Sequence, residues 1–295
     1  MKLTIAIITR DRCNELKRAI NSCLGQGNAD RIQYVIVDNG SSDETIEYLK
    51  RFSDSQPNVK TYYSNENLGV AGGRNKAMEM ADGDYVFFLD DDAYIESENL
   101  ISVVCNFLDE NIDVGALTLR TYEEKTDRLL EGALAKNNDN RSNIVETLQF
   151  IGCAHVLRRS IFQGTKLYPD KLGYGSEELY ASLRIWKKGY SIKYLKNVMI
   201  RHIPSSSNRL EERERQYNII TNIYIVKMLV YPFFIRYLTK FVFCIRLIKN
   251  DYADKKTRER LKLDFKYRYQ STEIDRISYL RLFQLGLSFG WKNII

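Results

Sequence analysis

Three runs early in the chain are apolar from end to end: Leu3–Ile8 (LTIAII), Tyr34–Val37 (YVIV) and Tyr85–Leu89 (YVFFL). A strand with one wet face alternates polar and apolar residues, so runs like these specify strands buried on both faces. Between them the period changes. Asn14–Leu24 sets Leu16, Ala19, Ile20 and Cys23 at helical spacing, and NGSSDETIEYLKRF offers a turn, Ser and Asp caps and a helix. Val59–Tyr63 reads as another strand, and NENLGVAGGRNKAMEMA as a Gly-rich loop running into a helix. Strand and helix alternating in this way specify an α/β chain with a Rossmann-like, mostly parallel central sheet. After Ala93 the pattern is less periodic, and after His202 it becomes helical.

Ligands of such sheets bind at the carboxyl ends of the strands. Thr9–Asp11, Asp38–Asn39 and Asp90–Asp92 all fall there. The acidic triplet directly follows the apolar YVFFL run. Two unit charges ~4 Å apart repel by roughly 1 kcal/mol in water and ~4 kcal/mol near a protein surface, so three adjoining carboxylates call for a counter-charge. A divalent cation supplies one: Mn²⁺ or Mg²⁺ takes one or two protein carboxylates and fills its other positions with phosphate oxygens and water. If the strand continues, Asp90 and Asp92 share a face and Asp91 points the other way. The alternative is a solvated turn whose acids cap a following helix. A phospho-acceptor receiver domain is excluded by length and by Thr9-Arg10-Asp11, where an acidic pair would be expected.

Other residues have a functional and a structural reading. Asp38 can accept from a base N–H or a ribose hydroxyl, or serve as a turn acid; Ser41, Ser42 and Asp43 already offer caps, which would leave it free. In NLGVAGGRNKA, glycines such as Gly73 let backbone approach a ligand and Arg74 can pair with a diphosphate. Glu177 and Glu178 follow a glycine-flexed loop at a helix start, where acids complement the helix dipole or one serves as a general base. His202 ends the strand pattern YLKNVMIR and is either structural or a metal ligand.

Composition separates the chain into two parts. Lys227 to the end holds 15 Lys/Arg and 6 Asp/Glu, or +9; the remainder holds 29 and 32, or −3. No Asp or Glu occurs between Glu214 and Asp251. Aromatic and aliphatic residues interleaved with Lys and Arg suit helices at an anionic membrane surface, with contact through 216–250; a helical subdomain or a homodimer interface is the other use of such a segment. Large aliphatics fit nucleic acid poorly, so no nucleic-acid partner is expected. No uncharged apolar run approaches the ~18 residues of a membrane span. The five cysteines show no CxxC pairing and read as thiols of a reducing, cytoplasmic compartment.

Together and in order, IAIITRDR, VIVDNGSSDET, NENLGVAGGRNKAMEMADGDYVFFLDDDA, GYGSEELYASLRIWKKGYSI and VMIRH resemble the family 2 glycosyltransferases, inverting enzymes with the GT-A fold, and among them bacterial polysaccharide and rhamnosyltransferase-like members. The resemblance covers residues 1–215, which it implies are the nucleotide-sugar-binding and catalytic domain; 216–295 would be a helical C-terminal extension. It implies a UDP-, dTDP- or GDP-linked sugar donor, Mn²⁺ or Mg²⁺, and a glycan or lipid-linked acceptor in cell-surface polysaccharide or glycoconjugate synthesis, at the inner face of the plasma membrane. Thr9, Asp11 and Asp38 would line the nucleoside pocket, with Gly73 and Arg74 near the phosphates. Asp90-Asp91-Asp92 stands at the family's DxD motif, with Asp90 towards the ribose and Asp92 on the metal, joined by His202. Gly152 and Cys153 would form the acceptor-side wall. Glu178 takes the place of the catalytic base, and Glu177 is the alternative. The rival readings are a nucleotidyltransferase, against which TRDRCNEL lacks a Gly-rich loop, and an inactive nucleotide- or membrane-binding module.

Overall fold

The computed structural model describes residues 2–27, 31–130, 142–172, 174–204, 211–250, 252, 254–270, 276–289 and 291–294. Its first part runs β1 (Leu3–Thr9), α1 (Cys13–Leu24), β2 (Ile32–Asp38), α2 (Thr45–Ser55), β3 (Val59–Tyr63), α3 (Gly69–Met80) and β4 (Tyr85–Leu89). The apolar runs are its central strands. Every residue of β2 and β4 is buried, because helices cover both faces of the sheet. Strands β1 to β4 are parallel, in the order β3-β2-β1-β4, and the register sets Thr9 beside Asp38. The helices were also legible: α1 buries Leu16, Ala19, Ile20 and Cys23, the stripe expected from spacing, and Cys13 besides.

The less periodic middle holds β5 (Ala93–Ile95), α4 (Leu100–Glu110), β6 (Val114–Glu123), β7 (Arg128–Leu130), β8 (Ile144–Glu146), β9 (Ala154–Arg158), α5 (Glu177–Lys187) and β10 (Ser191–His202). Strand β9 runs antiparallel between β4 and β6, and β10 pairs parallel with β6. The wedge places the start of β9 against the acidic triplet, where Asp90 N–H donates to the Cys153 carbonyl at 2.9 Å. From the other side, the end of β10 pairs His202 with Ala93, and Ile203 N–H donates to the Asp92 carbonyl at 2.8 Å.

One local expectation is corrected. The strand ends at Leu89, and the triplet forms a turn closed by Ala93 N–H donating to the Asp90 carbonyl at 3.0 Å. Asp90 and Asp92 still fall on one side, but through the turn and not through strand alternation.

Beyond residue 211 come α6 (Glu212–Val230), α7 (Phe233–Lys249), α8 (Lys255–Gln270), α9 (Tyr279–Phe289) and α10 (Trp291–Ile294). Ile225, Val226 and Leu229 of α6 and Leu282, Leu285 and Phe289 of α9 belong to the same buried cluster as Leu148, Leu183 and Trp186. Arg281 Nε donates to the Trp186 carbonyl at 2.9 Å, and the Tyr231 hydroxyl donates to the Ile294 carbonyl at 2.6 Å. The change of pattern near 215 is thus a change from sheet to helix, while the core continues across it. Among the described residues no helix is long and apolar enough to cross a membrane.

Candidate active site

The site is assembled around a cation. Arg74 sits on α3, whose close approach to β1 requires Gly73: a Cβ there would lie 2.8 Å from Ile8 Cγ2. Only 3% of the Arg74 side chain is exposed. Its Nη2 donates to Asp90 Oδ1 at 2.8 Å and to the Gly152 carbonyl at 2.8 Å. Its Nη1 lies 3.4 Å from Glu177 Oε1 and 3.6 Å from Glu178 Oε1. The sequence reading put Arg74 on the diphosphate; in the structure its guanidinium joins the acidic triplet to the acid pair.

The triplet divides three ways. Asp90 keeps 37% of its side chain exposed. Asp91 turns inward to Arg12 Nη1 at 2.9 Å, and burial pushes its carboxyl up to about 7 against the pull of that arginine. Asp92 meets His202 Nε2 at 3.1 Å and lies 3.6 Å from Arg12. Single ligand atoms of Asp90, Asp92 and His202 all lie within 4.8 Å of one another. Two carboxylates and one imidazole on a partly open edge fit Mn²⁺, and Mg²⁺ through the two carboxylates alone, with positions left for phosphate oxygens and water. Arg12 was missed in the sequence. The available signal was that β1 adjoins β4, so a cation just past β1 is the natural partner for a buried carboxylate just past β4.

At the ends of β1 and β2, Thr9, Asp11 and Asp38 come together. Asp38 is not free, as the sequence reading held: its carboxylate accepts from the Ser41 N–H at 3.2 Å and from the Ser41 hydroxyl, and it is fully buried. Asp11 has φ of 50°, a left-handed conformation held by hydrogen bonds. Its N–H donates to Ser41 Oγ at 2.9 Å, and its Oδ1 accepts from the Ser42 N–H at 2.6 Å, which holds its carboxyl below the usual range. These hydrogen bonds tie the ends of β1 and β2 into one rigid rim.

The acid pair opens α5. Gly175 (φ 90°) and Ser176 (φ 68°) turn the chain sharply before it. Asn222 of α6 clamps this turn, donating to the Tyr174 and Gly175 carbonyls at 2.9 and 2.8 Å. Sequence reading missed Asn222, since nothing local links it to a loop 47 residues earlier. Glu177 points into the protein beneath Arg74, and burial, with Glu178 second, pushes it up to about 8. Glu178 keeps 20% of its side chain exposed and borders a cavity of about 530 Å³. Burial raises its carboxyl too, with Arg74 opposing. Gly152 makes room for it: a Cβ at 152 would lie 2.0 Å from Glu178 Oε1. Cys153 is buried behind Gly152. His155 is stacked between Phe88 and Phe150, and burial holds it neutral; it belongs to the core.

Comparisons with known proteins bear on this arrangement. The sequence model of the family described as "Glycosyl transferase family 2" matches residues 4–165. An uncharacterized glycosyltransferase of Haemophilus influenzae is 36% identical over 96 residues, 32% of this chain and 38% of that one. The O-antigen chain rhamnosyltransferase WbaN of Salmonella anatum is 25% identical over 194 residues, 61% and 59% of the two chains. The chain thus spans less than two thirds of the length of either relative. The crystal structure of GalNAc-T7 with UDP, GalNAc and Mn²⁺ superposes with a TM-score of 0.66 at 13% identity, over 92% of this chain and 55% of that one. The fold is GT-A.

The buried acid makes a pH prediction. Burial pushes the Glu177 carboxyl up to about 8 in the folded protein, whereas in the unfolded chain it titrates near the ordinary glutamate value of about 4.3. The resulting stability is fully present below the lower value and is lost as pH rises through the higher one. Urea unfolding of wild type should therefore weaken between these limits, and Glu177→Gln should flatten that slope. An unchanged slope in the variant would show that Glu177 is already ionised throughout.

Proposed function

The chain belongs to glycosyl transferase family 2, and on that premise we propose that it is an inverting glycosyltransferase, moving a sugar from a nucleoside diphosphate to an acceptor hydroxyl with the help of Mn²⁺ or Mg²⁺. The observation that carries this reading is the pairing of two groups around Arg74. On one side is the Asp90, Asp92 and His202 cluster; on the other is Glu178 at the mouth of a cavity.

Asp92, His202 and Asp90 would hold the cation, which when bound offsets the charge of the donor's diphosphate and stabilises it as a leaving group. Thr9, Asp11 and Asp38 border the nucleoside, with Asp11 and Asp38 held rigid by Ser41 and Ser42. Arg74 keeps Asp90 turned to the donor and Glu178 to the acceptor. Glu178 takes the proton of the acceptor hydroxyl. That oxygen forms its bond to the anomeric carbon from the face opposite the diphosphate, and the carbon–oxygen bond to the diphosphate breaks. The electron pair leaves with the diphosphate, and the configuration inverts. A carboxyl raised by burial is a stronger proton acceptor near neutral pH than a solvated one. The likeness to GalNAc-T7, solved with UDP and Mn²⁺, supports the donor and metal, and the relation to an O-antigen chain rhamnosyltransferase supports a role in cell-surface polysaccharide.

The test is release of nucleoside diphosphate from UDP-, dTDP- and GDP-sugars with Mn²⁺. One donor should turn over, and Glu178→Gln should lower the rate by about 10²–10⁴-fold with little change in donor KM. Asp92→Asn should raise the Mn²⁺ concentration needed for half-maximal rate. Turnover unaffected by either substitution would remove these assignments.

The helical region meets an anionic bilayer in this reading. Helix α7 exposes Phe234, Tyr237, Phe241, Ile245 and Ile248 as a stripe, and α9 adds Leu280 and Phe283 beside it. Tyr279 of α9 donates its ring to this face, 6.3 Å from Phe234. Arg236, Lys240 and Lys249 flank the stripe, and no carboxylate lies in sequence between Glu214 and Asp251. Apolar insertion with basic flanks fits acidic lipid on the inner face of the plasma membrane. Co-sedimentation with phosphatidylglycerol vesicles should exceed that with phosphatidylcholine, fall with salt, and be lost in Phe234→Ser/Phe241→Ser. A concentration-dependent dimer that ignores vesicles would assign the face to a second copy instead.

A further inference from the structure

The acid pair begins a helix that does not cap itself. Ser176, the residue before α5, has φ of 68° and makes no side-chain capping bond to the helix. With Gly175 at φ 90°, it puts two successive left-handed residues directly before Glu177. Glycine tolerates that conformation and serine does not favour it, so the turn needs support from elsewhere. Helix α6 gives it. Gly175 lies so close that a Cβ there would be 3.0 Å from Ile219 Cγ1. Asn222 holds the Tyr174 and Gly175 carbonyls, which engages both hydrogens of its amide nitrogen.

Asn222 is fully buried, so its amide oxygen needs a donor as well. Arg268 of α8 provides one: its Nη1 donates to Asn222 Oδ1 at 2.6 Å. Its Nη2 donates to Asn218 Oδ1 at 2.8 Å. Asn218 and Asn222 stand four residues apart on one face of α6, a spacing that a single guanidinium fork spans. The two ends of an amide differ little in shape, so the groups that face them decide which way round it lies. Reversed, Asn222 would turn its oxygen to two carbonyls and its NH2 to a cation. Only 11% of the Arg268 side chain is exposed, and away from water such a mismatch is costly.

We propose that Arg268 is a positioning residue for Glu178: it fixes the Asn222 amide, and that amide fixes the turn from which the acid pair projects. This role rests on the glycosyltransferase reading of Glu178, and the clamp itself stands on geometry. Glu178 has little room for error. It lies 3.6 Å from Arg74, and a Cβ at 152 would meet its Oε1 at 2.0 Å. A base displaced by about 1 Å can cost about 10²-fold in rate.

The experiment follows nucleoside diphosphate release and amide hydrogen exchange at residues 174–180 in the full chain. Arg268→Met should lower kcat by about 10- to 100-fold with donor KM unchanged, because no donor-side residue touches the clamp. Arg268→Lys keeps a donor for the amide oxygen and should keep the fold and recover part of the rate. Added to Glu178→Gln, Arg268→Met should change the rate by less than about twofold, since a residue that acts through Glu178 then has nothing to act on. A full further loss in that double variant overturns the proposal, as does an unchanged kcat in Arg268→Met. Exchange at 174–180 should quicken in Arg268→Met while the central strands stay protected. If wild type turns over no nucleotide sugar, the glycosyltransferase reading falls and exchange still decides the clamp: quickened exchange supports it, and unaltered exchange overturns it.

Discussion

Arg74 carries a positive charge where water reaches almost none of it. A guanidinium in that position needs acceptors in the right places, and the fold supplies four of them from three distant parts of the chain: Asp90 after β4, the Gly152 carbonyl before β9, and Glu177 and Glu178 at the start of α5. Those acceptors in turn need the cation. Removing either side leaves buried charge without a partner, which is among the most costly changes a protein interior can suffer. The same constraint explains Gly73 and Gly152. One lets the helix bearing Arg74 lie against β1, and the other leaves space for Glu178 beside the guanidinium.

Much of this could be read from residues alone, and the reasons are physical. Fully apolar runs that end in acids identify buried parallel strands and the edge where they present ligands, so β1, β2, β4 and the triplet were legible. So was the acid pair, because two carboxylates at a helix start are conspicuous. Pairings that depend on distant partners were not. Strand β9 entering antiparallel beside β4 leaves no local mark, yet it brings Gly152 and Cys153 to the triplet. Arg12 looks like any surface arginine until β1 and β4 are adjacent. Asp38 seemed available because its neighbours offered caps, whereas Ser41 uses that carboxylate itself.

The helices after residue 211 are joined to the sheet domain through its core and through the turn before α5. Asn222 clamps the turn that aims the acid pair, and α6 and α9 complete the core behind α5. An apparently separate basic segment therefore contributes to the geometry of the carboxylates as well as to the cavity in front of them. Its exposed stripe and its cavity-lining cations lie on helices joined to that same core.

Arg74 acts on Glu178 through electrostatics as well as through packing. At 3.6 Å its charge favours the ionised form of Glu178. The most direct test is the pH dependence of donor turnover in Arg74→Met compared with wild type and Arg74→Lys. The acidic limb of the profile should move about 1 unit or more to higher pH in Arg74→Met and return towards wild type in Arg74→Lys. A limb that stays in place while only the amplitude falls would contradict it.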